Sequence, residues 1–160
     1  MALSAAAQAP PAALRCQLTL PAQAALGQPL RLKLTLTNTG AQPLQVLTWA
    51  TPFDGWFAPY VAVRHDGREL PYRGPSVKRG EPQAADFVRL APGRSRSATV
   101  NVAQAFELNE PGPYELLPRI VLFDVIVAAR PLARVREQFQ SQPLNCPSLH
   151  FRIVPRATGG

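Results

Sequence analysis

The segment Leu30–Gly40, "LRLKLTLTNTG", decides the fold. Leu30, Leu32, Leu34 and Leu36 alternate with Arg31, Lys33 and Thr35, the period of two that turns one face of a strand to a core and the other to water. The run breaks into "NTGAQP", where Asn38 and Gly40 suit positive φ and Pro43 fixes the exit, so a hairpin turn is expected. "LQVLTWA" resumes a strand, and its Trp49 is expected as a core aromatic between sheets, because burial of so large a ring is rewarded.

The same period recurs outward from this segment. "RCQLTL" precedes it, and "YVAVRHDGREL" reads as two short strands about an Asp66-Gly67 turn, a pair that accepts left-handed backbone. "DFVRL", "SATVNV", "YELLPRIVLFDVIV" and "SLHFRIV" supply further strands. "AQAFEL" suits one helical turn, and "PLARVREQFQS", with Leu132, Val135 and Phe139 after Pro131, suits a short helix or an irregular loop. The 18 prolines are spread from Pro10 to Pro155, a spacing that forbids long helices and suits strand ends and loops.

With 160 residues, 46% apolar and 17% charged, the chain has material for one core and too little charge for a disordered chain. The expected architecture is all-β, an immunoglobulin-like β-sandwich of about seven to nine strands with at most one short helix. It occupies residues 15–155, between a flexible N-terminal segment at 1–14 and a disordered tail at 156–160.

A net charge of +7 favours anionic partners, but Arg and Lys are scattered without a dense run interleaved with aromatics. Solvated strand faces are expected, and no nucleic-acid partner. The longest apolar run, "RIVLFDVIVAAR", is interrupted by Asp124, so no membrane span is expected. "AAAQA" near the N-terminus has the small residues of a cleavage site, which suggests a secreted or periplasmic protein whose native signal peptide has been removed.

The two cysteines, Cys16 and Cys146, stand near the first and last strands. If those strands lie side by side a disulfide joins them, closing a loop worth up to about 5 kcal/mol in the chain-entropy model; the alternative is two buried thiols. Signals of catalysis are weak. His65 and His150 are far apart with no HExxH, so no metal site and no cofactor are expected. Ser95, His65 and Asp86 exist but lack a nucleophile elbow, and a non-enzymatic protein is expected.

Two segments break the strand period. "TPFDGWFAPY" crowds Phe53, Trp56, Phe57 and Tyr60 beside Pro and Gly, where they either form a binding surface or cap the open end of the sandwich. "PYRGPSVKRGEP" joins Tyr72, Arg73, Lys78 and Arg79 with stiffening prolines. It either recognises an acidic or polar partner or covers a sheet edge. These eight residues are the candidate binding site.

"LTLTNTGAQPLQVLTWATPFDG", "RHDGRELPYRGPSVKRGEPQAADFVRLAPGRSRSATVNVAQAFELNEPGPYEL" and "LNCPSLHFRIV" resemble, in that order, the N-terminal immunoglobulin-like domain of deuterolysin-type (aspzincin) zinc endopeptidases. A looser similarity links the strand, turn and "LAPGRS" pattern to bacterial intracellular proteinase inhibitors. No HExxH helix follows in this sequence. The resemblance therefore implies a non-catalytic module whose protein partner is a protease, a metallopeptidase first of all, with inhibitor, chaperone and accessory roles all open. A structural or adhesion module, binding a cell-surface component or another domain, is the alternative.

Overall fold

The computed structural model describes residues 11–156. Within them the chain forms thirteen strands, four single 3₁₀ turns and no α-helix. The strands are β1 (Leu14–Thr19), β2 (Gln23–Ala25), β3 (Arg31–Asn38), β4 (Leu44–Leu47), β5 (Val61–His65), β6 (Arg68–Glu69), β7 (Phe87–Leu90), β8 (Ser95–Asn101), β9 (Gly112–Pro118), β10 (Val121–Leu122), β11 (Val125–Val127), β12 (Gln142–Pro143) and β13 (Leu149–Val154). They outnumber the expected seven to nine because bends and prolines cut long strands into pieces, five of which are three residues or shorter. The expectations for residues 1–10 and 157–160 lie outside the described residues; Ala12 is held by Gln142, whose side chain accepts from its N–H at 2.9 Å and donates to its carbonyl at 3.2 Å.

The fold is an immunoglobulin-like β-sandwich. One layer contains β1-β3-β8, with β3 central, and the other is a five-stranded sheet in the order β2-β13-β9-β5-β6. Leu30, just before β3, and Leu32, Leu34 and Leu36 within it are fully buried, while Arg31 and Lys33 face water. Cys16 and Leu18 of β1, Val100 of β8, Val63 of β5, Tyr114 and Leu116 of β9, and Phe151 and Ile153 of β13 join those leucines in one buried cluster. Thr35 and Thr37 meet Ser97 and Ser95 across the β3–β8 pair, hydroxyl to hydroxyl, at 2.9 and 2.6 Å, the cross-strand polar contact a wet face favours.

The "NTGAQP" segment is not a hairpin turn. β3 pairs with β1 and β8, β4 pairs with β7 and β11, and β3 and β4 do not pair with each other. Pairing of β3 with β8 pauses after Asn38 and resumes as β4 with β7. Neither Asn38 nor Gly40 has positive φ. The Asn38 side chain makes the corner instead: its Nδ2 donates to the carbonyls of Gln42 and Leu90 at 2.7 and 3.0 Å, and its Oδ1 accepts from Gly40 N at 2.9 Å. The Asp66-Gly67 turn matches its expectation, with φ of 52° and 73° and His65 opposite Arg68.

Cys16 and Cys146 are joined, with Cα atoms 5.3 Å apart, but the first and last strands are not neighbours in one sheet. β1 pairs with β3, and β13 pairs with β2 and β9, so the bond links the β1 layer to the segment that leads into β13. Of the short helix or irregular loop expected near Pro131, the chain forms the loop, an irregular excursion with one 3₁₀ turn, Arg136–Gln138. Its three apolar residues are exposed or half-buried, too dispersed to form the continuous stripe that would hold a helix on a core.

Candidate functional site

Residues 51–60 connect β4 to β5 and divide their aromatic rings between the inside and the outside. Thr51 caps a 3₁₀ turn over Pro52–Asp54, accepting from Phe53 N at 3.2 Å, and Gly55 at φ 77° turns the chain inward. Trp56 then enters the core. It stacks on Tyr60 at 4.6 Å between ring centres and meets Phe106 edge-on at 6.1 Å, while its indole N–H donates to the Asn101 carbonyl at 2.9 Å. The Tyr60 hydroxyl donates to Gly55 O at 3.1 Å, and burial, reinforced by Tyr72 and Asp54, pushes its pKa far above the ordinary phenol value. Phe53 is partly buried against the same cluster, and Tyr72 packs on Trp56 and Phe106 with its hydroxyl donating to Pro75 O at 2.7 Å. Trp56 and Tyr60 are thus interior residues, a correction to their place on an exposed loop surface; each polar tip finds a backbone acceptor that makes burial affordable.

Phe57, the next residue after Trp56, points the other way and is 41% exposed. The Arg79 guanidinium lies between its ring and that of Trp49, 5.4 Å from one centre and 5.3 Å from the other, and is ion-paired with Asp54. Val77 N donates to Phe57 O at 3.3 Å, drawing the second loop onto the first. Burial raises the Asp54 pKa despite the opposing pull of Arg79. Trp49, Val77, Lys78, Arg79, Phe123 and Arg136 line one open cleft, and Phe57, Val77 and Phe123 leave large apolar area in water there. Arg73 is not part of it. It borders a different cleft, beside His65.

Trp49 is buried, as expected, but outside the main core cluster. Phe139 meets it edge-on at 6.3 Å, Arg136 stands 5.8 Å over its ring, and its indole N–H is buried with no hydrogen-bond partner among the described residues. The cover comes from the excursion between β11 and β12, which Asp124 anchors. That carboxylate, 0% exposed, takes a bidentate pair from Arg134 at 2.9 and 3.1 Å and a third bond from Gln140 N at 2.8 Å. Arg136 reaches back to the Arg79 and Gly80 carbonyls, and its N–H donates to Glu81 at 3.0 Å. Phe123, Arg136 and this anchor were not legible as site residues; the one clue was a carboxylate inside the longest apolar run.

The scattered Ser95, His65 and Asp86 have separate partners: Thr37 Oγ1, Pro113 O and Gln83 N respectively. Among the described residues, no helix is long and apolar enough to cross a membrane.

No family model matches the chain. It is 34% identical over 94 residues, 57% of its own length, to an extracellular protease of Aeromonas hydrophila. It is 34% identical over 91 residues, 54% of its length, to a neutral protease 2 homolog of Uncinocarpus reesii. The chain covers 27% and 25% of these relatives, so it spans about a quarter of their length. Among solved structures, the CARDB domain of the PF1109 protein of Pyrococcus furiosus superposes over 89% of this chain and 91% of its own at TM-score 0.36 and 12% identity. The DNA glycosylase AlkC of Pseudomonas fluorescens does so over 92% of this chain and 32% of its own, at 0.40 and 17%.

Proposed function

We propose that the chain is a non-catalytic accessory module of a secreted peptidase system and binds a metallopeptidase through the surface around Trp49. One observation carries the reading: the two segments that break the strand period meet there, with Arg79 held between Trp49 and Phe57 and exposed Val77 and Phe123 beside it. Aromatic rings and arginine are the residue types that dominate interface energetics. Here the arginine is already oriented by Asp54 and two rings, so docking immobilises few further rotamers. The similarity to two proteases over about half the chain supports a peptidase as partner and an extracellular setting, as does the resemblance to the aspzincin N-terminal domain.

Titration against a purified aspzincin catalytic domain tests the reading. Phe57→Ala and Val77→Asp are expected to weaken binding about thirtyfold, the equivalent of about 2 kcal/mol, with the melting temperature nearly unchanged. Unchanged affinity in both folded variants, or no binding by the parent chain, overturns it.

A further inference from the structure

His65 ends β5 in a setting unlike that of an ordinary core histidine. Its side chain is 8% exposed, its ring stacks on Tyr114 at 4.1 Å between centres, and Nδ1 lies 2.8 Å from the Pro113 carbonyl. A carbonyl only accepts, so Nδ1 carries a proton, and Nε2 is the ring nitrogen left facing Asp66 and Glu110. The ring has little freedom to turn. Gly112, at φ 127°, lies against it so closely that a Cβ there would stand 3.2 Å from His65 Cε1.

Two carboxylates converge on Nε2 from different elements. Asp66 Oδ2, on the β5–β6 turn, is 3.4 Å from Nε2, and Glu110 Oε2, on the segment before β9, is 3.3 Å away. Both side chains are 67% exposed and free to swing into water, yet the three ligand atoms lie within 4.8 Å of one another. Two anionic oxygens this close to one ring nitrogen call for positive charge there, either a proton on Nε2 or a cation between the three atoms. Around a tetrahedral zinc with ligand bonds of about 2.0–2.1 Å, ligand atoms stand about 3.3 Å apart, which is the separation of Nε2 from each oxygen. A carbonyl on the far nitrogen is the usual outer partner of a metal-bound imidazole. The cleft beside His65 also presents Glu69, Glu107 and Glu110 against Arg68 and Arg73, an acidic excess in a chain of net charge +7.

From this geometry we infer that His65 Nε2, Asp66 Oδ2 and Glu110 Oε2 bind one divalent transition cation, with zinc the best match to a nitrogen and two carboxylate oxygens. Three protein ligands leave a fourth position for water. The cation ties the β5–β6 turn to the segment before β9. This reverses the sequence-based expectation of no metal site, because Glu110 is too distant in sequence for any local motif to join it to His65. The site shares no residue with the surface around Trp49.

Calorimetric titration of ZnCl₂ into untagged, chelator-treated, dialysed protein tests the assignment. One saturable site per chain is expected, with a rise in melting temperature on zinc addition. Glu110→Gln and Asp66→Asn alter exposed side chains, so these variants should fold and bind zinc about tenfold or more weakly. MgCl₂ should give no comparable site, since magnesium rarely accepts imidazole. Absence of saturable zinc uptake by the parent protein overturns the assignment, as does uptake unchanged in both variants, which would place zinc elsewhere.

Discussion

Trp56 and Trp49 sit at opposite ends of one loop and were settled by opposite rules. Trp56 joined the core because its N–H found the Asn101 carbonyl and its ring found Tyr60 and Phe106. Trp49 is equally hidden but lies outside that cluster, under Phe139 and two guanidiniums, with its N–H unpaired among the described residues. The first ring is packed by apolar neighbours that fix the sandwich; the second is roofed by charged side chains drawn from loops. Burial alone does not tell the two rings apart, whereas the identity of the covering groups does.

Substitutions should divide along that line. Trp56→Ala is expected to cost about 3–5 kcal/mol of folding stability, read by denaturant unfolding, while leaving partner affinity of the folded fraction intact; a loss under about 1 kcal/mol would erase the contrast. Next in size is Arg134→Ala, which strands the buried Asp124 carboxylate at a cost of about 3 kcal/mol. Because that pair anchors the roof over Trp49, tryptophan fluorescence should report a wetter indole. Trp56→Phe should cost about 2 kcal/mol by removing the donor to the Asn101 carbonyl, whereas Trp49→Phe removes an N–H that has no partner among the described residues and should cost under about 1 kcal/mol. Equal losses would show that hydrogen bonding does not distinguish the two rings.

The smallest effect concerns pH. Burial raises the Asp54 pKa, so the folded chain holds that proton to higher pH than the unfolded chain does. The contribution is full below the ordinary carboxylate range and is lost as pH rises through the raised value. Asp54→Asn should therefore flatten the fall in stability as pH rises from below the ordinary carboxylate range through the raised value, measured by urea midpoints against the parent chain.

The alternation of Leu30 to Leu36 made the sheet legible, since a period of two with one apolar face has one stable outcome, and Asp66-Gly67 made its turn legible through backbone preference. Asn38 misled because a turn residue can act through its side chain as well as through φ. The site was half legible. Phe57 and Arg79 meet on one surface, but neighbouring positions in an irregular loop carry no period that says which faces inward, so Trp56 and Phe57 could not be told apart. Asp124 with Arg134, and His65 with Glu110, depend on contacts made only after folding.

The bond between Cys16 and Cys146, which are 130 positions apart, makes nearly the whole sandwich a closed covalent ring. Cutting a ring once opens it without dividing it. Cleavage of one peptide bond in the exposed stretches at 73–83 or 128–141 therefore leaves a single molecule whose strands remain tethered in register, and only a second cut releases a fragment. A nicked chain should run intact on a denaturing gel without reductant and as two pieces with it. In the proposed role beside a peptidase, that topology would let the module survive a first cut.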